Sequence, residues 1–129
     1  MKFRNFPVFL LILACIPFAG CAKKADSKRP IEKIQKEVVA MPLAELEVRA
    51  SDYAAAIRAK KAEIEKIQKQ IQKMPMEKVF NDKSMARHIT EIGREGEALF
   101  ERYRINAQAF QEKGGDPSKI QIALPQSQS

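Results

Sequence analysis

Residues 43–74, LAELEVRASDYAAAIRAKKAEIEKIQKQIQKM, decide the fold. Taken alternately three and four residues apart, the positions are Leu43, Leu46, Ala50, Tyr53, Ile57, Lys60, Ile64, Ile67, Ile71 and Met74, and nine of these ten are apolar or aromatic. A 3-4 repeat sustained over that length turns one side of a helix toward another helix, because its mean spacing of 3.5 residues is that of a coiled-coil seam. At ~1.5 Å per residue the helix runs roughly 48 Å, too long for a small globular core to cover. It needs a partner of similar length.

The chain supplies one. Asn81 or Asp82 can cap a new helix that runs to Lys113, where Gly114 and Gly115 followed by Asp116-Pro117 form a strong stop. Its seam reads Met85, Ile89, Ile92, Gly96, Leu99, Tyr103, Asn106, Phe110. The segment between, MEKVFN, reads as a turn. Folding the chain back near Lys78 sets Ile71 opposite Met85, Ile64 opposite Ile92, Tyr53 opposite Tyr103, Ala50 opposite Asn106 and Leu46 opposite Phe110. The same register sets Lys60, the one charged seam residue of its helix, against Gly96, where a lysine can lay its methylene stem over the glycine and send its ammonium to water. The expected fold is all-α: an antiparallel coiled-coil hairpin of helices 43–74 and 82–113.

Upstream, residues 31–42, IEKIQKEVVAMP, match residues 64–75, IEKIQKQIQKMP, with eight identities in twelve at a spacing of 33. The spacing is not a multiple of seven, so the two frames do not belong to one straight coiled coil. The break falls at Met41-Pro42, where proline removes a backbone donor and pushes the residue before it out of helical geometry. Each Met-Pro therefore marks a helix end, and a short third helix is expected over about 30–41. It should lie along residues 43–54 and beside Phe100, Ala107 and Phe110, covering one half of the hairpin. Ala86, Gly93, Phe100 and Ala107 recur at sevens next to the seam of the second long helix. The uncovered half then exposes small residues, and Ala86, Gly93 and Gly96 with Lys60 form a candidate interaction groove for self-association or for a partner helix. The alternative is that the small residues only let the two helices approach closely. Glycine inside a helix costs ~1 kcal/mol relative to alanine, so two of them call for a reason.

The N-terminus has a different composition. Lys2 and Arg4 precede an apolar run, Phe6–Phe18, which is short for a bilayer span and reads as a secretory signal. Phe18-Ala19-Gly20-Cys21 resembles the lipobox of bacterial lipoproteins, with Phe18 where an aliphatic residue is usual. That resemblance implies removal of residues 1–20 and acyl chains, palmitate among them, on Cys21. Several chains on one residue give stable anchoring where one chain gives marginal binding. By the same resemblance Ala22, in place of an aspartate, implies the outer membrane of a diderm cell, with the domain facing the periplasm. The alternative is an ordinary signal peptide cut after Ala22, releasing a free secreted domain. Residues 21–29 read as a basic tether, residues 30–113 as the helical domain and residues 114–129 as a mostly disordered tail.

The chain has 129 residues and a formal net charge of +7; without Lys2 and Arg4 it keeps 21 basic and 16 acidic residues. Lys23, Lys24, Lys28, Arg29, Lys33 and Lys36 cluster near the proposed anchor, where each could contribute ~1 kcal/mol on an anionic surface or simply be solvated. With Cys15 in the removed segment and Cys21 acylated, no disulfide, thiol nucleophile or thiolate metal site is expected in the mature domain. His88, its only histidine, falls off the seam toward solvent. No phosphate loop, nucleophile elbow or carboxylate in an apolar setting is legible. The expectation is a non-enzymatic protein without cofactor, metal or small-molecule substrate: a membrane-anchored structural or interaction module. The competing class is a basic helical binder of a polyanion such as nucleic acid, lipopolysaccharide or anionic wall polymer. Lysines and arginines interleaved with acids favour the first and make nucleic acid an unfavoured partner.

Overall fold

The computed structural model describes residues 25–122. It is helical throughout: α1 Ile31–Ala40, α2 Leu43–Gln72, α3 Met76–Asn81, α4 Lys83–Glu112, then a 3-10 turn over Pro117–Ile120. The hairpin is α2 against α4, the most extensive packing among the described residues.

The breaks fall where local chemistry places them. Met41 is extended, φ −76° and ψ 134°, because Pro42 follows it. The Pro42 carbonyl then accepts from the N–H groups of Glu45 and Leu46, so the residue that ends α1 also starts α2. Met74-Pro75 repeats the device, and the Pro75 carbonyl accepts from Lys78 and Val79. The outcome differs from the expected turn: MEKVFN forms the six-residue helix α3. A proline ahead of a helix is pre-set in φ and has no N–H to leave unsatisfied, which favours helix over an irregular turn. Asp82 caps α4, its carboxylate accepting from the N–H groups of Ser84 and Met85 at 3.1 and 3.2 Å. At the other end Gly114 takes φ +87°, the left-handed conformation that closes a helix, and the Gly115 N–H reaches back to the Phe110 carbonyl at 2.8 Å. The Phe110 ring fills the space where a side chain at Gly115 would begin.

Three helices meet only in the lower half, where the core is Ile34, Val38, Met41, Leu46, Ala50, Ala107, Ala109, Phe110 and Ile120. α1 packs more extensively on α4 than on residues 43–54, although its Ile34, Val38 and Met41 share a core with Leu46 and Ala50 and its Glu37 pairs with Arg49. It sits on the edge formed by Arg102, Asn106, Ala109 and Lys113: Arg102 Nε donates to the Arg29 carbonyl at 2.8 Å, and Lys113 Nζ donates to the carbonyls of Val39 and Met41 at 2.9 and 2.6 Å. Ala107 and Phe110 join this core, but Phe100, also expected beneath α1, is 39% exposed on the other side of α4. Leu43 is 38% exposed for the same reason. Carbonyls at the ends of α1 are strong acceptors, and the long Arg102 and Lys113 side chains reach them; a pattern of apolar positions does not register that pull.

Two flanking segments are more ordered than expected. Tail residues 117–122 fold back on the hairpin, where Ile120 is 2% exposed and its carbonyl accepts from the Tyr103 hydroxyl at 2.6 Å. This departs from a tail disordered from residue 114; residues 123–129 lie outside the described residues. Within the basic tether, residues 25–29 are also held. Glu37 on α1 accepts from Arg29 at 2.6 Å and from Arg49 on α2 at 2.7 Å. These two hydrogen bonds, Arg49 foremost, hold the Glu37 carboxyl down to about 2 against desolvation that would raise it. Arg29 is therefore committed to the fold rather than to a lipid surface. Among the described residues the core runs from Ile34 to Ile120.

Candidate functional site

Above the three-helix half, α2 and α4 continue as a pair, and their front face is open. Between them runs a groove of about 690 Å³, floored by Ile57, Ile64 and Ile92 and walled by Gly93, Gly96 and Phe100. Lys61 and Glu65 stand on the α2 rim, Glu97, Glu101 and Arg104 on the α4 rim. The Phe100 ring in the groove wall stacks on Tyr103 with centroids 6.1 Å apart. A β-carbon built on Gly93 or Gly96 meets no heavy atom within 4 Å. The glycines therefore leave space that the hairpin itself does not fill.

Of the expected groove residues, Gly93, Gly96 and Lys60 line this space together. Lys60 behaves differently from expectation, because its stem does not cover Gly96. Its ammonium turns to Glu95 at 2.6 Å and Glu63 at 3.5 Å, closing the groove's edge with an ion pair between the helices. The Glu95 carboxylate holds the Lys60 ammonium above its usual range, and Lys60 holds Glu95 below its own. Ala86 is not part of the groove; it lines a separate shallow depression with Arg87, Thr90, Glu91 and Arg94. The sevenfold recurrence that linked it to Gly93 drifts around a straight helix by ~20° per heptad. Phe100, Ile57 and Ile64 are groove residues that sequence reasoning had assigned to the covered half or the seam. The signal available was the step of seven from Gly93 to Phe100.

His88 is 54% exposed with Nε2 3.5 Å from Glu63 Oε1, a contact on the hairpin surface. Burial pushes the hydroxyls of Tyr53 and Tyr103 up, as expected for phenols set into a seam. Asn106 is fully buried; its Nδ2 donates to the Arg102 carbonyl at 2.8 Å while Oδ1 has no partner among the described residues. Among the described residues no three His, Cys, Asp or Glu side chains gather as metal ligands. None of the described helices is long and apolar enough to cross a membrane. Cys21 and the lipobox-like residues before it lie outside the described residues.

The fold and groove together define an all-helical hairpin with one open apolar face. Compared with protein-family models, curated proteins and solved structures, the chain shows no significant match.

Proposed function

We propose that the protein is a lipid-anchored component of a bacterial cell envelope, held through acyl chains on Cys21, and that it acts without catalysis by presenting its hairpin groove to another helix. In a diderm cell its place would be the outer membrane, facing the periplasm. The reading rests first on Phe18-Ala19-Gly20-Cys21 at the end of an apolar segment, followed within ten residues by a folded helical domain. The groove supports its second half. Apolar walls interrupted by Gly93 and Gly96 suit the close approach of a partner helix, as in helix-in-groove recognition. A polyanion binder has less support along the hairpin flanks, because Arg29 and Arg49 are engaged by Glu37, Lys60 by Glu95 and Glu63, and Lys61 by Glu65.

Intact-mass analysis of the full chain expressed in a lipoprotein-processing bacterium tests the anchor. A mature chain beginning at Cys21 with added acyl mass, absent in Cys21→Ser, is the expected result; an unmodified chain starting elsewhere overturns it. For the groove, a photo-crosslinking residue at Gly96 should capture a discrete envelope partner or a second copy, and the same residue at exposed Thr90 should not. Equal capture at both positions would remove the groove from the proposal.

A further inference from the structure

The hairpin end away from α1 carries apolar side chains that the fold leaves unused. α3 contains no buried residue. Phe80 is 78% exposed, the highest value for a large apolar side chain among the described residues, and Met76 is 71% exposed. Met76, Val79 and Phe80, spaced three and four apart, share one side of α3. They stand on the short helix at the hairpin tip, and neither Met76 nor Phe80 lines the nearby depression formed by Ile67, Gln70, Met85 and His88.

Around them is a basic collar. From residue 66 to residue 87 the chain carries Lys66, Lys69, Lys73, Lys78, Lys83 and Arg87 against only Glu77 and Asp82. Asp82 is occupied as the cap of α4. Among the described residues Lys73, Lys78 and Lys83 are exposed and enter no ion pair, unlike Lys60 and Lys61 further down the hairpin. The other strongly exposed apolar side chain, Val39 at 75%, has no such collar; Lys113 beside it is bound to the Val39 and Met41 carbonyls.

We propose that this tip is a membrane-contact site, seating Phe80 and Met76 in the interfacial layer of an anionic bilayer while Lys73, Lys78 and Lys83 meet its phosphates. A short apolar stripe flanked by lysines gains from both apolar burial and attraction to anionic lipid. A penetrable bilayer takes up exposed side chains such as Phe80 and Met76 without a shaped receptor, whereas a folded protein partner would need a cleft to receive them, and the lysines around them match an anionic surface. The site does not depend on acylation of Cys21. If Cys21 is acylated, the tip gives the hairpin a second hold on the membrane and limits how freely the groove can swing.

The test uses the chain from Ala25 to Ser129, which contains every core residue described and lacks Cys21, after helical circular dichroism and cooperative unfolding have shown that it folds by itself, so its result is independent of the anchor. The protein has no tryptophan, which makes Phe80→Trp a clean reporter. Its emission should shift to the blue with vesicles containing phosphatidylglycerol, and not with phosphatidylcholine alone; Val39→Trp should not shift with either. Replacing Lys73, Lys78 and Lys83 by glutamine should weaken partitioning roughly fivefold per lysine, and Met76→Ser with Phe80→Ser should weaken it about tenfold, with helical circular dichroism retained. An unshifted Phe80→Trp, an equal shift at Val39→Trp, or binding indifferent to the two serine substitutions would overturn the proposal. The last outcome, joined to equally tight binding of a soluble polyanion, would identify plain charge attraction instead.

Discussion

Replacing Gly93 and Gly96 together by alanine should stabilise the isolated domain, a direction opposite to that of most double substitutions at a helix contact. Both lie inside α4, and a β-carbon at either meets nothing within 4 Å. The steric term is therefore absent, and what remains is the difference in helix propensity, about 0.5–1 kcal/mol per site in favour of alanine. The pair sums to about 1–2 kcal/mol. For a domain of this size about 1 kcal/mol moves Tm by 4–8 °C, so a rise of roughly 5–15 °C is expected. Thermal unfolding followed by circular dichroism at 222 nm, at several protein concentrations, measures it. A lower Tm would refute the reasoning, since it would mean that the space over the glycines is filled in solution. A decrease that appears only at high concentration would place a second copy there. In the full chain, Gly96→Leu should fold equally well; if the groove receives a partner helix as proposed, it should lose capture there, because the added side chain would occupy that helix's path.

Asn106→Leu keeps the branched outline of a fully buried side chain and replaces an amide whose Oδ1 has no partner and whose Nδ2 bonds only the Arg102 carbonyl, so chemical denaturation should show a gain of about 1 kcal/mol; a loss of that size would show that the bulkier methyl groups or the lost Nδ2 bond outweigh removal of the partnerless oxygen. Glu37 is ionised at lower pH in the folded chain than in the unfolded one. Its contribution is therefore complete above about 4.5 and falls away as pH drops toward about 2, and Glu37→Gln should flatten that acid limb of the stability curve. Tyr103→Phe removes the donor to the Ile120 carbonyl, so hydrogen exchange of residues 117–122 should speed up with a stability loss of about 1 kcal/mol, while the hairpin amides stay protected.

Much of the hairpin was legible because its information is local and periodic. The 3-4 repeat from Leu43 to Met74 and its counterpart from Met85 to Phe110 place two helices, and Pro42, Pro75, Asp82 and Gly114 place their ends to within a residue or two. The facing of Lys60 and Gly96 also followed from repeat and turn alone. Long side chains misled the reading: the Lys60 ammonium went sideways to Glu95, and Arg102 and Lys113 drew α1 onto an edge of α4 that carries no apolar stripe. The Glu37 pairings with Arg29 and Arg49 span a proline and a helix break, so no spacing rule announces them.

The sequence by itself determined the two long helices, the short helix before them, the breaks at the prolines and the antiparallel pairing, though not α3, since these follow from backbone chemistry and a period shared by neighbouring residues. Only the tertiary structure decided which side of the hairpin is covered. α1 lies along one edge of α4, the residues before it are tied by Arg29, and Ile120 seals the front of the lower half. The groove at Gly93 and Gly96 and the bare tip at Phe80 are what that covering leaves open. Covering is settled by a few long-range hydrogen bonds and ion pairs, some between residues more than seventy positions apart, and nothing in the local pattern encodes their choice.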